Sequence, residues 1–360
     1  MTDYNYRFPG FLAAIAFFCL MATQCLAGFP ADIPKKVFVV HSYEKNHVCG
    51  QPQHDGVVKA LNDMGWNTGD NMELAVHYME TKRKNNTPEL IERQAQIVQK
   101  KIKEFDPDLV VTLDDNAFRT VALPMAEGRM DIVFSGMNGQ PEDYNRTRRF
   151  MADRERPGHN ITGVYEKLHI REAIKVLSNL LDIRKVLILD DLSPTGKAIA
   201  RQVRLELDSD QSGAPLPCET VKRTIHSWEE YRDVIEMINR TPEIDSFYLG
   251  TLLLKDSNGN THTAPDIIDY TIKHAEKPAI GLNYAFIKMG LYGGASVDFF
   301  EMGYQAGEKA AAILNGTDPG TLPIEDAKRV ALVFNLSRAQ KLGLEIPKDI
   351  LLAADEVFRK

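Results

Sequence analysis

A strand-helix alternation that occurs twice in one chain is the strongest constraint on what this sequence can fold into. Continuous apolar runs, Val37-Phe38-Val39-Val40 in the first half and Val186-Leu187-Ile188-Leu189 in the second, each open a series of short strands and amphipathic helices. Strands without polar alternation have both faces buried, which predicts parallel sheets covered by helices on both sides. The halves meet at Pro157-Gly158-His159-Asn160-Ile161-Thr162-Gly163-Val164. At 360 residues the chain is longer than a usual single domain. Open parallel sheets bind ligands beyond the carboxyl ends of their strands, so two such lobes predict a clamp around a cleft.

The pattern predicts strands near 36–42, 72–79, 109–113 and 131–135 in the first lobe, with helices near 52–65, 88–104 and 115–126. In the second of these helices Ile91, Ala95, Val98, Ile102 and Phe105 recur at helical spacing while Lys100, Lys101, Lys103 and Glu104 face water. Thr87-Pro88-Glu89 supplies its N-cap and first-turn proline. The second lobe repeats the scheme, with strands near 185–190, 218–225, 245–251, 278–281 and 291–297. Residues 140–157 and 255–263 read as insertions. A helix after residue 298 should return to the first lobe and the tail from about 329 should cross back, giving a hinge of three crossings. The expected lobes are residues 30–161 plus 298–326, and 162–297 plus 327–360.

Residues 1–27 read as a cleavable export signal: Arg7, an apolar core from Phe11 to Met21, and Cys25-Leu26-Ala27 before Gly28. No later segment reaches membrane-spanning length, so the expectation is a monomeric protein in the periplasm. Two cysteines remain after cleavage, Cys49 and Cys218; they fall in different lobes and are expected to be unpaired thiols. A net charge of −7 without a long basic run argues against a nucleic-acid partner.

Several segments resemble the ABC-transporter substrate-binding family whose better-known members take aromatic amino acids, a branch of the type I periplasmic binding proteins. They are Gly158 to Val164, the Gly303-Tyr304-Gln305-Ala306-Gly307 helix with Ile313-Leu314-Asn315-Gly316, and the tail from Asn335-Leu336-Ser337 through Lys341-Leu342-Gly343-Leu344-Glu345-Ile346-Pro347 to Ala354-Asp355-Glu356-Val357. The resemblance implies an α/β, two-lobed type I periplasmic binding fold, each lobe a parallel sheet flanked by helices. It also implies a membrane permease as partner. The loops His41-Ser42-Tyr43 and Phe134-Ser135-Gly136-Met137-Asn138 look more like extracytoplasmic sensor domains beside histidine kinases and diguanylate cyclases, so a sensory co-receptor is the alternative.

Strand-end loops collect Ser42, Tyr43, Asp114, Asp115, Asn116, Ser135, Asn138, Asp190, Asp191, Ser193, Thr251, Asn283 and Asp298. Of these, Ser42, Tyr43, Asp115, Asn116, Ser135, Asn138, Asp191, Ser193, Thr251, Asn283 and Asp298, together with Tyr165, are the expected ligand contacts. Carboxylates and hydroxyls facing one cleft suit a small zwitterion or polyol, with aspartate pairing an amine; an amino acid or similar carboxylated molecule is the first expectation and a sugar or nucleoside-like compound the second. Asp115 and Asp298 are expected to matter most. Tyr43, Tyr165, Tyr284 and Phe286 could form flat apolar walls. Glu166, just past the first crossover, could touch ligand or stabilise the hinge. His41, His47, Cys49 and His54 match no compact metal pattern, and Asp256 to Asn260 reads as a turn, because Ile267 stands where a calcium loop needs Glu. No nucleophile elbow, phosphate loop or zinc-protease helix occurs, so neither catalysis nor a cofactor is expected.

Overall fold

The computed structural model describes residues 1, 33–208, 215–250 and 253–359. The expected export signal, past its first residue, and Thr251 lie outside them. The elements below belong to the unit Lys35–Lys360.

Five strands of the first half, β1 (Lys35–His41), β2 (Met72–Tyr78), β3 (Leu109–Leu113), β4 (Asp131–Met137) and β5 (Ile161–Tyr165), form a parallel sheet. In the second half β6 (Lys185–Asp191), β7 (Glu219–Ile225) and β8 (Ser246–Leu249) precede a hairpin of β9 (Leu253–Lys255) and β10 (Thr261–Thr263), followed by β11 (Ala279–Gly281) and β12 (Gly293–Val297). The chain then adds β13 (Glu325–Asp326) to the first sheet, and ends with β14 (Val330–Asn335) and β15 (Glu356–Phe358). The strand orders are β13-β5-β4-β3-β1-β2 and β11-β8-β6-β7, with β12-β14-β15 as a third small sheet.

Local chemistry sets these elements as the pattern implies. The Thr87 side chain accepts the Leu90 N–H to cap the helix Pro88–Phe105, and Asp106 ends it in the left-handed conformation. All five residues of β3 are buried, as a strand with helices on both faces requires. The two faces of the first sheet carry separate apolar clusters, one around Phe118, Phe134 and Phe150, the other around Val57, Met302 and Ala306.

Three details differ from the sequence reading. First, Ile161–Tyr165 forms β5, a strand of the first sheet paired with β4, where the pattern predicts none. Second, β12 runs antiparallel to β14 rather than joining the parallel ladder; its bridge toward the β11 side is Val297 to Asn283. Third, the helix expected at 115–126 is one α turn, Asp115–Ala117, which widens into a π turn at Phe118–Ala122 and tightens to a 3-10 turn at Leu123–Met125.

The crossings are tied together. Lys167 after the first and Asp326 before the third approach to 3.5 Å, and the His169 ring lies 3.0 Å from the Ala327 carbonyl. Between them, the helix Phe299–Leu314 returns to the first lobe and packs on the helix Gly50–Asp63. Glycine makes that approach possible: a Cβ on Gly303 would lie 2.1 Å from the Gln53 carbonyl oxygen.

Candidate functional site

A cavity of about 270 Å³ opens where the strand ends of both large sheets face each other. Its first-lobe wall comes from the loop Tyr43 to Cys49 after β1, Lys82 and Arg83 after β2, Asp114 after β3 and Asn138 after β4. The second-lobe wall comes from Thr195, the segment Thr263 to Pro265, and Leu282, Asn283 and Phe286. Glu166, the first residue of the crossover, and Phe299 close the cavity between them.

The floor is acidic and buried. Asp114 is 2% exposed and Glu166 3%. Gln53 Nε2 donates to Asp114 Oδ1 at 2.9 Å, and Ser135 Oγ in turn donates to Gln53 Oε1 at 2.8 Å. Asn138 Nδ2 donates to Glu166 Oε2 at 2.8 Å, while Gln202 of the second lobe bonds the backbone carbonyls of both Asn138 and Glu166. Burial pushes Asp114 up to about 7 against the pull of Gln53 and Lys82. Glu166 is raised as well, by burial first and then by Asp114 and Asp115.

Asp114 is also held in a conformation that favours glycine, φ 66° and ψ 172°. A side chain there costs about 1–3 kcal/mol, and such strain concentrates where function needs it. The Asp114 N–H donates to the Ser135 carbonyl at 2.8 Å, and its own carbonyl accepts the Phe118 N–H at 3.2 Å, which pin it.

Several buried polar atoms of the lining have no hydrogen-bond partner among the described residues. Three are acceptors on the first-lobe wall, Glu44 Oε2, Asp114 Oδ2 and Asn138 Oδ1; one is a donor on the second-lobe wall, Asn283 Nδ2. Native interiors satisfy most such groups, so these atoms are left to solvent or to a molecule that enters the cavity. Lys82 lies 4.7 Å above the Tyr43 ring, and Phe286, Leu282 and Phe299 supply apolar surface.

Among the sequence-predicted contacts, Tyr43, Asn138 and Asn283 line this cavity. Ser135 stands behind it through Gln53. The others have structural partners elsewhere. Ser42 Oγ donates to the Leu113 carbonyl and accepts the Ala117 N–H. Asp115 accepts from the Tyr144 hydroxyl and the Asn138 N–H, and Asn116 bonds Thr81 and Arg119. Asp191 accepts the Ser193 and Leu253 N–H groups, and the Ser193 hydroxyl accepts the Gly196 N–H. Tyr165 lies in a separate cavity behind the crossover with Arg154 and Glu206. Asp298 caps the helix Phe299–Leu314 and borders another surface cavity. The oxygens of Asp115 and Asp298 thus serve a loop contact and a helix cap, and the neighbouring Asp114 lines the cavity.

The sequence pattern places Asp114 among the strand-end loops without singling it out, leaves Glu166 between ligand and hinge, and does not point to Lys82 or Cys49 as contacts. Asp114 carries a positional signal, being the first residue past an all-buried strand; Lys82 and Arg83 sit in a polar turn that offers none. Cys49 and Cys218 are free thiols, and burial first, then Asp114, pushes the Cys49 thiol up. The His41 and His54 rings lie nitrogen to nitrogen at 3.1 Å, and among the described residues no group of three candidate ligands could hold a metal.

Two parallel sheets joined by three crossings, with a polar cavity between their strand ends, define the two-lobed class of periplasmic solute-binding proteins. The chain belongs to the ABC transporter substrate-binding protein family, whose model matches residues 45–358. It is similar to a tyrosine-binding protein of Clostridioides difficile, 20% identical over 292 residues, covering 81% of this chain and 76% of that one. The fold is shared with the ABC domain from Streptococcus pneumonia solved in complex with L-Trp, at TM-score 0.67 and 17% identity, covering 90% of this chain and all of that one. It is shared equally with the ligand-free, open structure of a substrate-binding protein with adhesive properties from Clostridium difficile, at TM-score 0.67 and 17% identity, covering 91% of this chain and all of that one. The family is one of solute-binding proteins of transport systems, which favours uptake over the sensory role.

Proposed function

We propose that this protein captures an amino acid or a closely related carboxylated compound outside the cytoplasmic membrane and delivers it, unchanged, to the permease of an ABC uptake system. The observation that carries this reading is the division of unpartnered groups across the cavity. An ammonium has three donors and fits the acceptors Asp114 Oδ2 and Asn138 Oδ1 beside Glu166. The ligand carboxylate is left to Lys82, Arg83 and the Asn283 amide. Phe286, Leu282 and Phe299 would cover an apolar side chain, in keeping with the tyrosine and L-Trp ligands of the relatives. Contacts from both walls to one ligand favour the closed arrangement of the lobes, a shift in population about the three crossings. Export by the signal at residues 1–27 and action as a monomer complete the proposal.

A thermal-shift screen over amino acids, their deaminated and decarboxylated analogues, sugars and nucleosides tests it. A ligand at 100 times its dissociation constant adds about 2.7 kcal/mol of stability, and the account expects amino acids to give the largest shifts. Stabilisation by sugars or nucleosides alone would contradict it.

A further inference from the structure

We propose that ligand capture in this cleft is proton-linked, with Asp114 as the group that must lose its proton before a ligand ammonium can seat beside Glu166. The inference rests on the ligand reading above. Its basis is geometric: two carboxyl groups share one cavity floor, and each is held by a neutral amide, Gln53 on Asp114 and Asn138 on Glu166. Asp114 keeps one oxygen unpartnered among the described residues.

The surroundings leave few other groups to change charge. Among the cavity-lining residues, the second-lobe wall contributes Thr195, Thr263 and Asn283 and no charged side chain. On the first-lobe side, burial first of all holds the His41 and His47 rings down at about 3, so both are neutral across ordinary pH. His54 is lowered as well, again by burial. Burial pushes the Tyr43 phenol and the Cys49 thiol up, and both stay neutral. Asp115 adjoins Asp114, Glu44 and Lys45 lie on the loop after β1, and Lys82 and Arg83 on the loop after β2. Lys82 is the cation acting on both floor carboxyls.

Burial therefore sets the balance at the floor, and it places Asp114 at about 7. Below that value Asp114 is a neutral acid, and an ammonium seated against it would lose the counter-charge of the group it touches. Binding selects the ionised form, so the Asp114 proton leaves to solvent as the ligand enters. Glu166 is raised as well, by burial first. Affinity is then flat above about pH 7 and falls roughly tenfold per pH unit below it. A binding protein of this kind holds its ligand less tightly when its surroundings acidify.

The test is titration calorimetry with L-tyrosine as the probe at about pH 5.5 and about pH 8, in buffers of different protonation heat, with a carbon-13 NMR titration of the carboxyl groups. We expect binding roughly 30-fold weaker at the lower pH, close to one proton released there per ligand, and an Asp114 carboxyl that titrates near neutrality in the free protein. Asp114→Asn should bind weakly with a flat pH profile, whereas Glu166→Gln should keep the slope. Equal affinity at both pH values without proton release overturns the linkage and leaves the ligand reading standing. So does an Asp114 carboxyl titrating near 4. If Asp114 titrates near neutrality but neither L-tyrosine nor any other amino acid produces heat or a melting shift, the ligand reading fails and the linkage fails with it.

Discussion

Asn138 Nδ2 donates to Glu166 Oε2 at 2.8 Å, joining the residue that follows β4 to the residue that follows β5. The two strands are neighbours in the sheet, so their ends deliver an amide and an acid to the same point, where the chain leaves for the second lobe. Removing the amide leaves the buried acid without its partner. Asn138→Leu should therefore weaken ligand binding by about 1–3 kcal/mol, the cost of an orphaned buried polar group. Calorimetry on the variant checks this, and unchanged affinity would mean that Asn138 is only a bystander.

Asp298 accepts the Phe300 and Glu301 N–H groups at 3.0 and 3.1 Å as the cap of the helix Phe299–Leu314. Asp298→Ala should lower unfolding free energy by about 1 kcal/mol in urea while the dissociation constant stays the same. A large loss of affinity at normal stability would restore Asp298 to the binding site.

The helix carrying Gly303 bears on the cavity indirectly. A methyl group on Gly303 meets the Gln53 backbone, and Gln53 is the amide that holds Asp114. Gly303→Ala should cost about 1–3 kcal/mol of stability by overpacking and should also weaken binding. A contrast with Gly316→Ala separates packing from turn strain: Gly316 has φ 94° and open space for a Cβ, so its variant should lose stability alone.

Asp114 predicts a stability that depends on pH in the direction opposite to a salt-bridged acid. Its folded pKa is raised by burial to about 7, so folding favours the protonated form. The favourable contribution is fully present below the unfolded value near 4 and is lost as pH rises through about 7. Asp114→Asn should thus gain stability on the order of 4 kcal/mol at pH about 8 and little at pH about 4. Denaturant melts at the two pH values decide it, and equal effects at both would show that Asp114 titrates normally.

The architecture was legible because its signals are local and repeated. Val37 to Val40 and Val186 to Leu189 mark buried parallel strands by composition alone, and Thr87-Pro88 marks a helix start without reference to anything distant. The short β5 was hidden because Gly163 and Thr162 interrupt its apolar run; the glycine is there because a Cβ would meet the Phe134 carbonyl oxygen at 2.3 Å, a contact no pattern reveals. The site was legible as a set of loops but not as side-chain directions. Asp114 and Asp115 are adjacent and identical in type, yet the unusual backbone of Asp114 sends its carboxyl to the cavity and leaves Asp115 to Tyr144. Lys82 reaches the cavity from a turn whose sequence reads as ordinary solvated charge.

The central claim is recognition of an ammonium by the acidic floor of the cleft, and the most direct measurement compares one ligand with and without that group. Titrating the protein with the amino acid that stabilises it most, and then with its deaminated analogue, isolates the interaction with Asp114 and Glu166. A carboxyl left desolvated and unpaired costs about 2–5 kcal/mol, so the account predicts a loss of roughly 30-fold or more for the analogue. An analogue that binds as tightly as the amino acid would contradict it.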